Sequence, residues 1–568
     1  YHPQLKICNT KTLKKRLPIL DWLPKYNFGA LIQDVIAGLT VGLTAIPQGL
    51  AYAVIAGLPP EYGLYSSLTA GIIYAVLGRC KDLSIGPTAI LSAITSKYVS
   101  SYTADFAVLA AFLSGVFIVS LAVLRLGFLV EFISLPVISG FTTAAVLQIS
   151  TSQLISLLGL RTPTGNTFSD SVRNLVRNIT TINMWDTVLG ISTLIVLILL
   201  KRLGDGCSRN DKWMKKLRWL ISIARNTIVV VFGMSLAFVL SRLFDMNQFT
   251  LIGKINGGLP QFGLPSFNAI VNKKTYSFGE MVEILGAKSV VIPFVSILEC
   301  MILSKIFCDG QVDVTQEMLA LGICNIIGSF GKSMPITAAF SRTALNHVSN
   351  AQTTLGGVLT CLLIILSLTL LTSSFFYIPK ASLAALIIAA MFSMINLGTI
   401  QKLWRNSKME LVVLIVTLTV SLGFGLEFGI IAGVITEAGI VVYKQARPNF
   451  DVSFEKFEGK HLIAIKLSPS MLYCTAEHLR RQLLELSSTY NDSVIIIDGT
   501  NVQYLDLTVA SNLMSFVRGL EQNSRQVVFM NFNSTTMNFC IDIYPESIDN
   551  FIECNTFMDV NGLIKGNK

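Results

Sequence analysis

The stretch Met334-Pro-Ile-Thr-Ala-Ala-Phe-Ser-Arg-Thr-Ala-Leu345 decides how this chain is read, and it has a partner in Ile85-Gly-Pro-Thr-Ala-Ile-Leu-Ser92. Each is a proline followed by small and hydroxyl residues able to open a helix. Each is too short and too polar to cross a bilayer alone. Proline suits the first helical turn, where its missing N–H costs nothing. The residues before the prolines, Lys81–Gly86 and Gly331–Met334, read as extended chain. A helix that begins at membrane depth aims unpaired N–H groups and a partial positive charge at that point. Two such beginnings facing each other make an anion site, and Arg342 adds a full positive charge to the second. Broken helices at corresponding positions of two halves point to a transporter's binding site. The alternative is a pair of proline-kinked but continuous helices.

The composition around these stretches is that of a polytopic membrane protein. Of 568 residues, 52% are hydrophobic and 14% charged, against about 25% charged in soluble domains. From about Pro448 the apolar runs shorten to strand length and charges return. The chain therefore divides into a cytoplasmic N-terminal segment (1–30), a transmembrane domain (31–446) and a soluble domain (447–568). The basic residues of the +10 net charge fall where membrane topology puts them, so no nucleic-acid partner is implied. The ten cysteines have no CxxC or metal-ligand spacing and read as small buried hydrophobes; no metal or cofactor is expected.

Apolar runs place spans at about 33–54, 62–78, 86–100, 106–124, 132–158, 185–201, 226–243, 282–306, 315–329, 335–349, 354–373, 380–395, 409–425 and 427–444, fourteen in all. Asn396–Asn406 reads as an interfacial amphipathic helix. Lys11, Lys14, Lys15 and Arg16 put the N-terminus in the cytoplasm. With an even span count the C-terminus lies there too. The loop after the sixth span agrees, carrying Lys201, Arg202, Arg209, Lys212, Lys215, Lys216, Arg218 and Arg225 against Asp205 and Asp211. Lys273 and Lys274 go against the bias locally, in a longer outer loop. The sequon Asn178-Ile-Thr180 falls on the outer face and offers a glycosylation site. Asn491 and Asn533 also begin sequons, inside the soluble domain, where they go unused. The two short spans are the third and the tenth, seven apart. An odd offset turns the second copy upside down, so the pattern is 7+7 spans in inverted repeats.

Beyond the spans, His461–Leu467, Ser493–Asp498 and Gln526–Asn531 read as strands, and Ala476–Ser487 and Thr508–Gln522 as helices. That alternation is an α/β module. It holds neither a phosphate-cradling glycine loop nor a triad-like set, so no enzyme is expected.

Few residues at membrane depth carry chemistry. Gln48 and Tyr52, four apart and just past Pro47, share a helix face and offer hydrogen bonds to an oxyanion or to a neighbouring helix. Thr88 and Ser341 offer hydroxyls to a ligand or to local backbone. Arg342 is a charge inside a span and thus a functional candidate. Glu299, in the eighth span, either neutralises Arg342 when the site is empty or carries a proton alongside the anion. His347 lies beyond Arg342 near the cytoplasmic end and reads as ordinary. The many small residues of Gly38–Ala53 read as close helix packing.

These residues resemble the SulP family, the sulfate permeases and animal relatives that include pendrin and prestin. The resemblance rests on Asp34-Val-Ile-Ala-Gly-Leu-Thr40, Pro47-Gln-Gly-Leu-Ala-Tyr-Ala53, Gly57-Leu-Pro-Pro-Glu-Tyr-Gly-Leu-Tyr-Ser66, Gly86-Pro-Thr-Ala-Ile90 and Phe340-Ser-Arg-Thr343. Leu17–Pro24 and Tyr377–Ala385 look most like its sodium-independent sulfate transporter branch. The resemblance implies an α-helical polytopic membrane protein with core and gate domains, a C-terminal cytoplasmic α/β STAS domain, a homodimer through gate and STAS domains, and elevator-like movement. It implies a secondary transporter of sulfate and other small anions (chloride, bicarbonate, oxalate) in a plasma or endolysosomal membrane, with membrane lipid around it. The alternative is a chloride channel or a voltage-sensitive, prestin-like motor. The family's anion site maps onto Gln48, Tyr52, Thr88, Ser341 and Arg342. Tyr52 and Thr88 stand where prestin and some chloride-preferring relatives have phenylalanine, which favours sulfate over halide. Asp506-Leu-Thr-Val509 lacks the phosphorylatable serine of bacterial STAS modules, so no phosphoswitch is expected there.

Overall fold

The computed structural model describes residues 16–552 apart from 100–101, 128–133, 161–167, 206–211, 244–247, 254, 256, 272–273, 287–289, 309–311, 393, 396, 458–459, 491–492 and 523–524. Lys11, Lys14, Lys15, Arg209, Asp211, Lys273, Asn396 and Asn491 lie outside the described residues. The chain forms two compact units, Tyr1–Val434 and Ile435–Lys568.

The first unit is helical. In order it has α1 (Phe28–Ile55), α2 (Glu61–Leu77), β1 (Ile85–Gly86), α3 (Ala89–Val99), α4 (Ala104–Val123), α5 (Leu135–Leu157), α6 (Phe168–Arg177), α7 (Met184–Asp205) and α8 (Lys212–Leu243). There follow the hairpin β2 (Ala269–Val271) and β3 (Lys274–Tyr276), then α9 (Phe278–Leu285), α10 (Val291–Phe307), α11 (Val314–Phe330), β4 (Thr337–Ala338) and α12 (Phe340–Val348). Next is α13 (Gly356–Leu366), extended by a π-helical turn (Ser367–Leu371) and a last turn (Thr372–Phe375). The helices α14 (Lys380–Phe392), α15 (Leu397–Asn406), α16 (Lys408–Phe424) and the first turns of α17 (Leu426–Ala446), as far as Val434, close the series. Six of these helices are long and apolar enough to cross a membrane unaided, among the described residues.

Two helical groups emerge from the packing. In one, α1, α2, α4, α11 and α13 pack together; in the other, α5, α7, α8, α14 and α16 do. Small residues let the first group close up, as expected of Gly38–Ala53. A Cβ on Gly63 of α2 would lie 1.9 Å from the Gly49 carbonyl oxygen of α1, so only glycine fits there. Asp34, buried in α1, accepts from the Gln352 and Thr353 N–H groups at 2.8 and 3.1 Å and from the Thr353 hydroxyl at 2.6 Å. That carboxylate satisfies the turn leading into α13.

Two expectations need correction. The span expected at 282–306 is two helices, α9 and α10, because the chain breaks at Gly286, which adopts φ 54°. The cysteines are not all isolated hydrophobes, since Cys80 and Cys308 form a disulfide. The amphipathic α6, in the loop before Asn178, was hidden by its polar composition.

The second unit is a five-stranded sheet of order β11-β10-β8-β6-β5, from β5 (Asp451–Phe457), β6 (Lys460–Lys466), β8 (Ser493–Asp498), β10 (Val527–Met530) and β11 (Phe551–Ile552). Short strands β7 (Ser470–Met471) and β9 (Tyr504–Leu505) pair separately. All main-sheet pairings are parallel except β5–β6. Helices α18 (Ala476–Thr489), α19 (Leu507–Gln522) and α20 (Ser534–Ile543) connect them, with Ile463, Ile465, Ile495, Ile497 and Phe529 in one core with Leu479, Leu483 and Leu513. Asp506 accepts from the Thr508 N–H at 2.9 Å and so starts α19.

Candidate functional site

The site is built on a crossing of extended chain inside the helical unit. β1 and β4 pair antiparallel, Ile85 opposite Ala338 and Gly86 opposite Thr337. Extended backbone at membrane depth is tolerated only if its polar groups are satisfied within the protein. Here side chains complete the pairing. Asn325 of α11 accepts from the Ile336 N–H and donates to the Ile336 carbonyl, both at 3.0 Å, as a strand partner would. Ser66 accepts from the Met334 N–H at 3.0 Å, and Thr343 from the Ser84 N–H at 3.2 Å. The Ala339 N–H donates to the Ser84 carbonyl at 3.0 Å. The helices α3 and α12 leave this crossing in sequence, so both begin beside it.

The spans expected at 86–100 and 335–349 are thus helices preceded by strand, and not kinked continuous helices. The prolines do not open the first turns, however. Pro87 and Pro335 lie in the extended segments, and α3 and α12 begin at Ala89 and Phe340. The cap of α3 is Thr88, whose hydroxyl accepts from the Leu91 N–H at 3.4 Å.

A cavity of about 360 Å³ lies at these helix starts, lined by Tyr52, Thr88, Glu299 and Ser341 and by apolar residues of α5, α10 and α14. It extends to Leu135 at the beginning of α5, Ile306 at the end of α10, and Met394 and Thr399 beyond α14. Four of the residues singled out from the sequence therefore share one cavity. Gln48 is buried one layer behind, its side-chain amide bonded to the Ser341 hydroxyl at 3.3 Å.

Arg342 and Glu299 do not pair. The Thr88 hydroxyl donates to Glu299 Oε2 at 3.1 Å, and Glu299 Oε1 is buried without a partner. Arg342, 1% exposed, donates from Nη2 to the Pro87 carbonyl at 3.1 Å and leaves Nε unpaired. Its guanidinium lies against Gly86, where an added Cβ would sit 2.7 Å from Nη2. It lines a separate cavity of about 20 Å³ with Lys81, Ser84 and Asn346. The expected ion pair is absent because each group is engaged elsewhere: Glu299 takes the Thr88 hydroxyl on the wall of the large cavity, and Arg342 donates to the Pro87 carbonyl and lines the small one.

Sequence reasoning missed the carboxylates that hold this frame. Glu317, buried at the start of α11, accepts from the Tyr74 hydroxyl at 2.8 Å and from the Arg79 and Cys80 N–H groups at 3.1 and 3.3 Å. Asp82, also buried, meets His347 Nδ1 at 2.8 Å, so His347 ties the end of α12 to the segment before β1. The available signal was a lone acid beside an apolar run, which demands a partner. Asn178 is partly exposed, with Ile179 and Thr180 exposed beside it, and its amide donates to the Asn174 carbonyl at 3.0 Å.

Comparison with known proteins places this geometry. Residues 31–417 match the sulfate permease family and residues 455–540 the STAS domain. The sodium-independent sulfate anion transporter of Bos taurus is 38% identical over 516 residues, covering 89% of this chain and 84% of its own. Probable sulfate transporter 4.2 of Arabidopsis thaliana is 33% identical over 447 residues, 77% of this chain and 62% of its own. Among solved structures, murine Slc26a9, an anion transporter in the inward-facing state, matches with a TM-score of 0.83 at 21% identity, over 100% of this chain and 97% of that one. The transmembrane domain of the cyanobacterial bicarbonate transporter BicA matches at 0.58 and 19% identity, over 73% of this chain and 99% of that one. At these identities the structures speak for the fold.

Proposed function

The chain belongs to the sulfate permease family, and from that premise we propose that it is a secondary transporter of sulfate and other small anions, independent of sodium and working by elevator-like alternating access. The observation that carries this reading is the shared cavity at the starts of α3 and α12, with the Thr88 and Ser341 hydroxyls and the Tyr52 phenol on its wall. Two helix N-termini converging there favour an anion through their dipoles. Glu299 on the same wall can take a proton that travels with the anion, and Arg342 contributes charge from behind the crossing.

Fourteen spans with both termini in the cytoplasm fit the order of helices. In that orientation the ends of α10 and α14 face the cytoplasm, and the cavity that reaches them opens inward. The helical group of α1 and α2 is then the moving core and that of α5 and α14 the gate. We assign Asn178 as a glycan acceptor on the outer face, and a homodimer through gate and STAS domains as the working form.

The test is uptake of labelled sulfate by purified full-length protein in sodium-free proteoliposomes, with current recorded across the same membrane. Saturable uptake inhibited by excess cold sulfate is expected. Current without saturable flux would replace the transporter by a channel, and absence of sulfate uptake with bicarbonate or oxalate flux would move the substrate.

A further inference from the structure

We propose that Cys80 and Cys308 form a thiol–disulfide switch, opened by a small anionic thiol of the glutathione class, that sets how firmly α10 is fastened to the β1 segment. The inference rests on the orientation just proposed, which puts both cysteines at the cytoplasmic face. Disulfides that form in that reducing compartment are mostly redox-active and transient.

The pair joins distant parts of the chain, with Cα atoms 5.3 Å apart and 228 residues between them in sequence. Cys80 lies in the link from α2 to β1, and Cys308 directly follows α10. Both line a cavity of about 260 Å³, together with Trp22, Arg79, Lys81 and Gln352. Cys80 is 3% exposed, whereas Cys308 is partly open to the solvent, so Cys308 is the sulfur that is attacked. Arg79 and Lys81 beside it suit a carboxylate-bearing thiol, and nearby cations stabilise the leaving thiolate.

The position gives the bond leverage. The Arg79–Ser84 link is already clamped to α11 through Glu317, and to α12 through Asp82 with His347 and Ser84 with Thr343. Phe307, beside Cys308, packs edge-on to Phe340 at 5.9 Å between ring centres. Further along, Thr88 donates to Glu299 of α10. Among the described residues, the β1 segment and α10 are thus joined covalently at Cys80–Cys308 and by the Thr88–Glu299 hydrogen bond at the cavity wall. Reduction removes the covalent fastening and leaves the register between Thr88 and Glu299 to that hydrogen bond and to the apolar packing of Leu83 and Ile85 against Ile297, Met301 and Leu303.

The chemistry balances as ordinary exchange. A thiolate attacks Cys308 Sγ, the S–S bond breaks, and Cys80 leaves as a thiolate that takes up a proton. A second small thiol, as thiolate, then attacks the mixed disulfide and releases Cys308, which is protonated in turn. In sum, two small thiols become one small disulfide, and two electrons and two protons enter the protein. An oxidised small disulfide reverses the step.

The experiment uses full-length protein in proteoliposomes, with a membrane-impermeant thiol reductant added to one side at a time. Non-reducing peptide mapping after rapid alkylation reports the pair, and sulfate uptake reports the consequence. The linked Cys80–Cys308 peptide is expected before treatment. Reduction from the cytoplasmic side should remove it and change uptake by roughly two- to thirtyfold, the range of coupling through a packed network. The Cys80→Ser, Cys308→Ser double variant should sit at the reduced level and ignore the reductant. A missing linked peptide, an unchanged rate after its loss, or a response that persists in the double variant would each overturn the switch while sulfate transport stood. Cleavage only from the outside would overturn it together with the assigned orientation.

Discussion

The two broken spans share a shape and differ in where they keep their charge. On the α3 side, Thr88 turns its hydroxyl to the cavity wall and donates it to Glu299. On the α12 side, Ser341 lines the same cavity, but the charged residue next to it lies behind the crossing, against Gly86 and bonded to the Pro87 carbonyl. In the proposed function, an anion at the helix starts meets hydroxyls, a phenol and backbone dipoles directly. It feels the charge of the guanidinium held beside Gly86 and Pro87. We propose that Arg342 acts on the anion mainly by charge, because its Nη2 donates to the Pro87 carbonyl and its guanidinium lies against Gly86.

Arg342→Val breaks this comparison most severely. A unit charge at roughly 8 Å and an effective dielectric near 20 contributes ~2 kcal/mol per unit of anion charge, so affinity should fall ~thirtyfold for a monovalent anion and about a thousandfold for sulfate. Arg342→Lys should recover most of that loss if charge is what matters, and little if the fork binds the anion. Because Glu299 does not pair with Arg342, neither variant leaves a carboxylate orphaned, and thermal melting should confirm a folded protein. Equal loss in both variants would restore the direct-contact view.

Gly86→Ala tests the same charge from the other span. The new Cβ would lie 2.7 Å from Nη2, so the guanidinium must shift or the β1–β4 pairing must open. Displacement of a buried, hydrogen-bonded charge costs about 1.5–3 kcal/mol, which predicts ~tenfold or greater weakening of sulfate uptake. In the Arg342→Val background Gly86→Ala should add little, because the group it displaces is gone. A full additional loss there would mean that Gly86 serves the strand and not the arginine.

Much of this architecture was legible. Proline, small residues and hydroxyls in two short spans seven apart located the crossing, and hydropathy located most of the helices. What remained hidden depends on partners far apart in sequence. The direction of Arg342 follows from Gly86 and Pro87, the latter 255 residues away in sequence. The break at Gly286 is a φ value, which an apolar run conceals. Cys80 and Cys308 carry no spacing signal because helix packing alone brings them together. In the second unit β5 was missed because its charged residues mask a strand paired on one side only.

Thr88→Val and Ser341→Ala compare the two helix starts at the cavity wall. Removing the Thr88 hydroxyl leaves Glu299 without a donor on either oxygen, a penalty of about 1–3 kcal/mol. Ser341 loses only a 3.3 Å contact to an amide. Sulfate affinity should therefore drop roughly fivefold or more in the first and about twofold in the second. Equal effects would argue that the hydroxyls act on the anion alike and that Glu299 has no special claim on Thr88.

Glu299→Gln should have the smallest effect on rate at neutral pH and the most telling effect on its pH dependence. Glutamine keeps the shape of the side chain, and its carbonyl oxygen can still accept from Thr88. The rate at neutral pH should then lie at or up to about twofold above that of wild type, because the Thr88 bond is kept and glutamine is neutral like the protonated acid. The sign of the pH effect follows from charge. A protonated Glu299 is neutral and repels a divalent anion less than the carboxylate does, so acidification should speed wild-type sulfate uptake. Glutamine cannot change its charge, so its uptake should be flat across the same range. Uptake of a monovalent anion such as chloride should show a shallower dependence in wild type, because the repulsion scales with the anion's charge. Flux measured in proteoliposomes with equal pH on both sides separates this local charge from any imposed gradient. An identical, sloping profile in wild type and Glu299→Gln would assign the pH response elsewhere and leave Glu299 as the residue that holds Thr88 in place.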